Sequence, residues 1–210
     1  YEIKQDGKFK FIEEGDGEPL MLLHGLFGAL SNFQFLIEHF RKTNRIIVPI
    51  LPLLDLDLLH TSVGGLQKFV HRFVEHRNYN DIHLLGNSLG GHVALVHVLK
   101  HPERIKSIIL TGSSGLFESG MGDTYPKRGD KDYIRKKTEL TFYDPKIATD
   151  ELVNEVFEIT NNRMKVIKII ALAKSAIRNN LGEELNQIKQ PACLIWGNND
   201  TITPPFVAKE

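Results

Sequence analysis

Residues 86–91 read Gly-Asn-Ser-Leu-Gly-Gly, which places a serine hydroxyl among small residues in the pattern G-x-S-x-G. A serine in this setting can attack a carbonyl carbon. The pattern requires a strained turn, and the residues two before and two after the serine must be small because strand and helix nearly touch there. We therefore interpret Ser88 as a catalytic nucleophile and the backbone N–H of Leu89 as an oxyanion donor. The alternative is a glycine-rich turn without catalysis.

The sequence His24-Gly25-Leu26-Phe27-Gly28 follows an apolar run and supplies a second set of small residues. A loop of this kind can point a backbone N–H at the oxygen of a substrate carbonyl. We expect the Leu26 N–H to be this second oxyanion donor, and we expect Phe27 and Asn87 to contact the substrate. His24 is interpreted as a structural hydrogen-bonding residue. Alternatively, a glycine-rich strand end can bind phosphate or nothing.

Asp200 lies in the segment Trp196–Pro204, just past a late apolar run. A carboxylate in this position can orient a histidine and stabilise its imidazolium form. The alternative is an aspartate in an Asx turn. None of the nine histidines follows Asp200 in the chain. Without a base Ser88 is a weak nucleophile, so we expect the catalytic histidine to lie beyond these 210 residues and the chain to be a fragment.

Short apolar runs alternate with helical patterns, and this order predicts an α/β fold with a mainly parallel sheet flanked by helices. The runs that predict strands are Pro19–Leu23, Ile46–Ile50, Ile82–Leu85, Ile105–Leu110 and Pro191–Trp196. Leu66–Arg77 has the apolar spacing of an amphipathic helix. We predict a first part of the core over residues 1–115, a helical lid over 116–182, and a second part of the core, incomplete at its C-terminus, over 183–210.

The composition limits the partners and the cellular compartment. The 26 basic and 26 acidic side chains give a net charge of zero, which disfavours nucleic acid and anionic membranes as partners. Cys193 is the one cysteine, so no internal disulfide can form, and we expect it to pack as a small hydrophobic residue. No apolar run is long enough for a membrane span, and no signal peptide is evident, so a cytoplasmic location is expected. His97 and His101 are interpreted as packing or surface residues, and no metal is implied.

Taken together, these segments resemble the motifs of serine hydrolases with the α/β-hydrolase fold. GNSLGG resembles the nucleophile elbow, HGLFG the oxyanion loop and WGNNDTITP the acid loop of that family. The resemblance implies a Ser-His-Asp triad that hydrolyses a carboxylic ester or related carbonyl compound of small size through an acyl-enzyme, without a cofactor. The lid sequence is also similar to lids of meta-cleavage carbon–carbon bond hydrolases, which gives an alternative. A non-catalytic small-molecule binding module on the same fold is the second alternative. The oligomeric state is left open.

Overall fold

The computed structural model describes residues 1–26, 30–119 and 129–210, and these form one seven-stranded sheet. Phe27, a predicted substrate contact, lies outside the described residues. The spatial order of the strands is β1-β2-β4-β3-β5-β6-β7. Their bounds are β1 (Lys4–Asp6), β2 (Phe9–Glu14), β3 (Glu18–Leu23), β4 (Asn44–Pro49), β5 (Ile82–Asn87), β6 (Ile105–Thr111) and β7 (Ala192–Ile195).

Only β2 runs opposite to the other strands of the sheet. β1 pairs with β2 in an antiparallel hairpin, and β2 pairs with β4 in the same sense. The pairs β3–β4, β3–β5, β5–β6 and β6–β7 are all parallel. The predicted mainly parallel sheet is therefore confirmed. The carboxyl ends of β3, β5, β6 and β7 meet at one edge, which is where open α/β sheets place their ligands.

Helices cover both faces of the sheet. Their bounds are α1 (Gln34–Phe40), α2 (Val63–His76), α3 (Leu89–Lys100), α4 (Lys131–Glu139), α5 (Asp150–Asn161) and α6 (Arg163–Arg178). One core cluster joins α2 and α3 to the sheet, and a second joins α1 to the opposite face. The amphipathic helix predicted at Leu66–Arg77 begins earlier, at Val63, because the Ser62 hydroxyl caps it by accepting from the Gly65 N–H. None of the described helices has the length and hydropathy needed to cross a bilayer.

The helices α4, α5 and α6 are inserted in the chain between β6 and β7. The last of them packs against the sheet-covering helices: Leu172 is fully buried in the larger core cluster. Two hydrogen bonds also fasten α6, from the Val63 N–H to Ser175 Oγ and from Lys168 Nζ to the Leu54 carbonyl, at 3.0 and 2.7 Å. The division of the chain into a core and a lid over 116–182 stays a prediction.

One expectation about packing is wrong. Cys193 is exposed, and so are the other three residues of β7, including Leu194 and Ile195 at 48% and 54%. The apolar composition of this run correctly predicted a strand. However, β7 pairs only with β6 among the described strands, and the exposure of its side chains shows that no described helix covers it.

Candidate active site

Ser88 occupies a strained turn between β5 and α3. Its backbone angles are φ 51° and ψ −120°, a left-handed φ that costs a non-glycine residue on the order of 1–3 kcal/mol. Three backbone hydrogen bonds hold the turn: the Ser88 N–H donates to the Thr111 carbonyl at 3.1 Å, and the N–H groups of His92 and Ser114 both donate to the Ser88 carbonyl at 3.2 Å. The Ser88 side chain caps no helix amide, and its Oγ has no hydrogen bond among the described residues. The hydroxyl is thus held in place yet left unpaired.

The glycines around Ser88 are required by contact with neighbouring backbone. A Cβ at Gly86 would lie 2.5 Å from the Cα of Gly91, and one at Gly90 would lie 2.1 Å from the Leu23 carbonyl oxygen. Both distances are far below van der Waals contact, so the prediction that these two positions must be small is confirmed. The glycines allow the first turn of α3 to lie directly against β3 and β5. Leu89, the predicted oxyanion donor, is the first residue of α3.

The loop after β3 is fixed beside Ser88 by His24. The buried His24 ring donates from Nδ1 to the Gly25 carbonyl and accepts at Nε2 from the Leu51 N–H, both at 3.0 Å. Burial lowers the pKa of His24, which keeps the ring neutral in this role. A Cβ at Gly25 would lie 3.2 Å from the Ser88 Cβ, so the loop passes next to Ser88. The structural interpretation of His24 fits these bonds, and Leu26, the predicted second oxyanion donor, follows directly.

Asn87 precedes Ser88 and bonds across to the next strand. Its Nδ2 donates to both the carbonyl and the hydroxyl oxygen of Thr111, each at 3.0 Å. Both amide protons are therefore used inside the protein. A Cβ at Gly25 would lie 3.4 Å from Asn87 Oδ1, so this oxygen borders the loop after β3. The role of Asn87 in substrate binding stays a prediction. Because both Nδ2 protons bind Thr111, Oδ1 is the side-chain atom of Asn87 that could contact a substrate.

Asp200 lies in the turn after β7, with its carboxylate at the end of β6. Oδ1 accepts from the N–H groups of Ile202 and Thr203 at 2.9 Å each, and Oδ2 accepts from Thr203 Oγ1 at 3.0 Å. The Asx turn considered as an alternative is therefore present. In this turn Oδ1 accepts the backbone N–H groups, whereas Oδ2 faces Gly112. A Cβ added at Gly112 would lie 3.0 Å from Oδ2. Ser88 and Asp200 thus flank the same strand end, since Thr111 binds the Ser88 N–H.

Histidine is missing from this arrangement. All nine histidines lie in the described ranges, and none of their rings hydrogen-bonds Ser88 or Asp200. His92 reaches Ser88 only through its backbone N–H, and its ring contacts the Asn179 carbonyl at 2.8 Å through Nε2. The described part of the chain also holds no group of three or more His, Cys, Asp or Glu side chains placed to bind a metal ion.

Two parts of the site were missed from sequence. Thr203 and Gly112 surround the Asp200 carboxylate, and the signal available was a hydroxyl residue three positions after the aspartate. Glu118 is the second case: burial raises its pKa, and it hydrogen-bonds Ser114, which in turn binds the Ser88 carbonyl. The glycine-rich segment around Glu118 gave no pattern that indicated this placement.

Comparison with known proteins agrees with this geometry. A family model for the alpha/beta hydrolase fold matches residues 18–141, more than half of the chain. The solved structure of an alpha/beta hydrolase enzyme from the metagenome of sediments from the lagoon of Mar Chica, Morocco, is 40% identical, covers 100% of this chain and 81% of that chain, and has a TM-score of 0.80. The chain therefore belongs to the α/β-hydrolase fold family, and the prediction of an enzyme of this family is confirmed.

The curated relatives of this chain include lipases, acetyltransferase components of an acetoin cleaving system, and hydrolases. A monoacylglycerol lipase of Xenopus laevis is 26% identical over 227 residues, which cover 93% of this chain and 67% of the lipase. A 2-hydroxy-6-oxononadienedioate/2-hydroxy-6-oxononatrienedioate hydrolase of Comamonas testosteroni is 26% identical over 216 residues, which cover 91% of this chain and 74% of that hydrolase. Across eight curated relatives, the chain spans from 47% to 74% of the relative's length.

Proposed function

We propose that this protein is a serine hydrolase that cleaves a carboxylic ester or related carbonyl compound, with Ser88 as its nucleophile. The observation that carries the proposal is the Ser88 turn at the carboxyl edge of the sheet. It has a left-handed φ of 51° at a non-glycine residue, and its hydroxyl has no hydrogen-bond partner among the described residues. Backbone strain of this kind persists only where the surroundings enforce it, and it concentrates at functional sites. Membership of the α/β-hydrolase fold family also supports the proposal, although the fold alone does not establish turnover.

In the proposed reaction, Ser88 Oγ attacks the substrate carbonyl carbon while its proton passes to a histidine. The N–H groups of Leu26 and Leu89 stabilise the oxyanion. The imidazolium then returns the proton to the departing alcohol as the carbon–oxygen bond breaks and leaves an acyl-serine. Water attacks this acyl-enzyme by the same route, releases the acid and restores the serine. Asp200 orients the histidine and balances its charge.

The histidine base is proposed to come from outside residues 1–210, because none of the nine histidine rings present hydrogen-bonds Ser88 or Asp200. Residues 116–182 are proposed to act as a lid, since their helices enter the chain directly after β6, whose end holds both Ser88 and Asp200. Apolar side chains exposed in this insertion, among them Leu140 and Tyr143, support an apolar acyl or aromatic portion in the substrate. The single cysteine supports a cytoplasmic location.

The test uses the natural protein expressed from its full coding sequence. A fluorophosphonate probe should label Ser88, as located by peptide mass spectrometry, and Ser88→Ala should abolish the label. Ser107→Ala is the matched control, because Ser107 lies near the start of β6, away from the end that contacts Ser88, and its loss should leave labelling unchanged. Asp200→Asn should lower kcat toward short p-nitrophenyl esters by at least about a hundredfold.

Other outcomes would favour the alternatives. Hydrolysis of a vinylogous 1,5-diketone without turnover of simple esters would identify a carbon–carbon bond hydrolase. Binding of such compounds without labelling or turnover would identify a non-catalytic binding module. Labelling that persists in Ser88→Ala would refute the assignment of the nucleophile.

A further inference from the structure

The carboxylate of Asp200 uses its two oxygens differently. Oδ1 accepts two backbone N–H groups, from Ile202 and Thr203, whereas Oδ2 accepts only the Thr203 hydroxyl, at 3.0 Å. A carboxylate oxygen can accept along two lone-pair directions. Oδ1 is therefore saturated, and Oδ2 keeps one direction available for a further donor. Thr203 Oγ1 is the only side-chain donor to Asp200 in the part of the chain that the structure describes.

Thr203 is itself fixed in position. It is 1% exposed, and its carbonyl accepts from Trp196 Nε1 at 2.7 Å. On the other side, a Cβ at Gly112 would lie 3.0 Å from Asp200 Oδ2 and 3.4 Å from Thr203 Oγ1. The hydroxyl, the carboxylate oxygen and the glycine thus fill one small space, and the hydroxyl cannot turn away from Oδ2 without losing its partner in a buried site.

We propose that Thr203 is a positioning residue for Asp200, which directs the free lone pair of Oδ2 toward the histidine of the triad. The inference rests on the proposed function of Asp200 as the triad acid. The two backbone bonds to Oδ1 orient the plane of the carboxylate, and the Thr203 hydroxyl adds a third restraint directly on Oδ2. Because this hydroxyl occupies one lone-pair direction of Oδ2, a histidine N–H meets that oxygen along the other direction. Gly112 has no side chain, which leaves space for Asp200 Oδ2 and Thr203 Oγ1 beside it.

The experiment compares Thr203→Val, which has the same shape without the hydroxyl, with Thr203→Ser, which keeps it. Both are measured in the full-length natural protein by steady-state kinetics, by the rate of Ser88 labelling and by thermal unfolding. We expect Thr203→Val to lower kcat and the labelling rate about tenfold or more with KM unchanged, the usual effect of losing a hydrogen bond to a charged group. Thr203→Ser should stay within about threefold of the natural protein. Thr201→Val, at an exposed neighbouring threonine, is the matched control.

Each outcome separates this inference from the function on which it rests. If the natural protein labels and Thr203→Val reacts as fast as Thr201→Val, Thr203 does not position Asp200, while the nucleophile assignment stands. If Thr203→Ser is as slow as Thr203→Val, the side chain acts through packing and the inference is overturned. If the natural protein does not label at Ser88, the proposed function and the inference both fail. Should Thr203→Val not fold, Thr203→Ala against Thr203→Ser gives the same comparison of presence and absence of the hydroxyl.

Discussion

His97 should make this protein less stable in mild acid. The side chain is fully buried in α3, its Nε2 has no hydrogen bond among the described residues, and its Nδ1 faces only Gln67 Nε2 at 3.5 Å. The rings of His71 and His101 lie 6.2 and 5.3 Å from its own ring, and those two rings stack on each other at 3.6 Å. Burial, followed by these two neighbours, lowers the pKa of His97 to about 3.

The size of the effect follows from proton linkage. The ordinary histidine pKa is 6.5, so below this pH the unfolded chain takes up a proton at residue 97 that the folded protein refuses. The contribution of a neutral His97 is therefore complete above pH 6.5 and is lost as the pH falls toward 3. Between pH 7 and pH 5 the loss is about 2 kcal/mol, or roughly 4–8 °C in Tm for a chain of this size.

The assay is urea and thermal unfolding at pH 7 and pH 5 of the natural sequence, His97→Gln and a control, His39→Gln. His39 is exposed on α1, so its replacement should leave the pH dependence unchanged. Burial also lowers the pKa values of His24 and His92, but both remain in all three proteins. The comparison therefore isolates residue 97, even if glutamine changes the stability at pH 7. An equal loss of stability from pH 7 to pH 5 in His97→Gln and in the natural sequence would refute the reasoning.

Two further substitutions test the packing that holds the site and the sheet. Gly90→Ala should lower the free energy of unfolding by more than about 4 kcal/mol in urea titrations, because its Cβ would lie 2.1 Å from a backbone oxygen. Gly64→Ala, within α2 and with only a 4.0 Å contact, should be neutral or stabilising by up to about 1 kcal/mol, and similar losses in both would contradict the argument. Arg77→Gln should cost about 1–3 kcal/mol, since the guanidinium bonds Asp6, Glu13 and Tyr79 and ties the first hairpin to the end of α2. Arg72→Gln, exposed on the same helix, should change stability by less than about 0.5 kcal/mol, and an equal cost there would mean that the Arg77 network contributes little.

The local parts of the site could be predicted from sequence because their physical requirements are local. The elbow needs small residues two positions before and two positions after Ser88. This spacing can be read directly from the sequence between a predicted strand and a predicted helix. The close approach that makes them necessary, Gly90 against the Leu23 carbonyl, then followed from the structure. The parallel sheet was also predictable, since short apolar runs alternating with helical patterns have few other arrangements.

The parts that escaped prediction depend on contacts between distant segments. Gly112 follows β6, and nothing in its local sequence indicates that it lies against the carboxylate of Asp200. Asn87 shows the same limit, because its amide protons are used by Thr111 on the neighbouring strand. Cys193 was predicted to be buried and is exposed. An apolar strand is buried only where another element covers it, and the composition of the strand does not show whether such an element is present.

The end of β6 explains how residues so far apart in the chain can form one site. The Thr111 carbonyl accepts from the Ser88 N–H on one side, while the Gly112 N–H donates to the Ile195 carbonyl of β7 on the other, both at 3.1 Å. One peptide unit is thus bonded to the Ser88 turn and to β7, the strand that leads to Asp200. The spacing between Ser88 and Asp200 is therefore set by the pairing of three adjacent parallel strands, which is rigid, and not by the long insertion that separates β6 from β7. The pairing of β5, β6 and β7 thus keeps Ser88 and Asp200 in register.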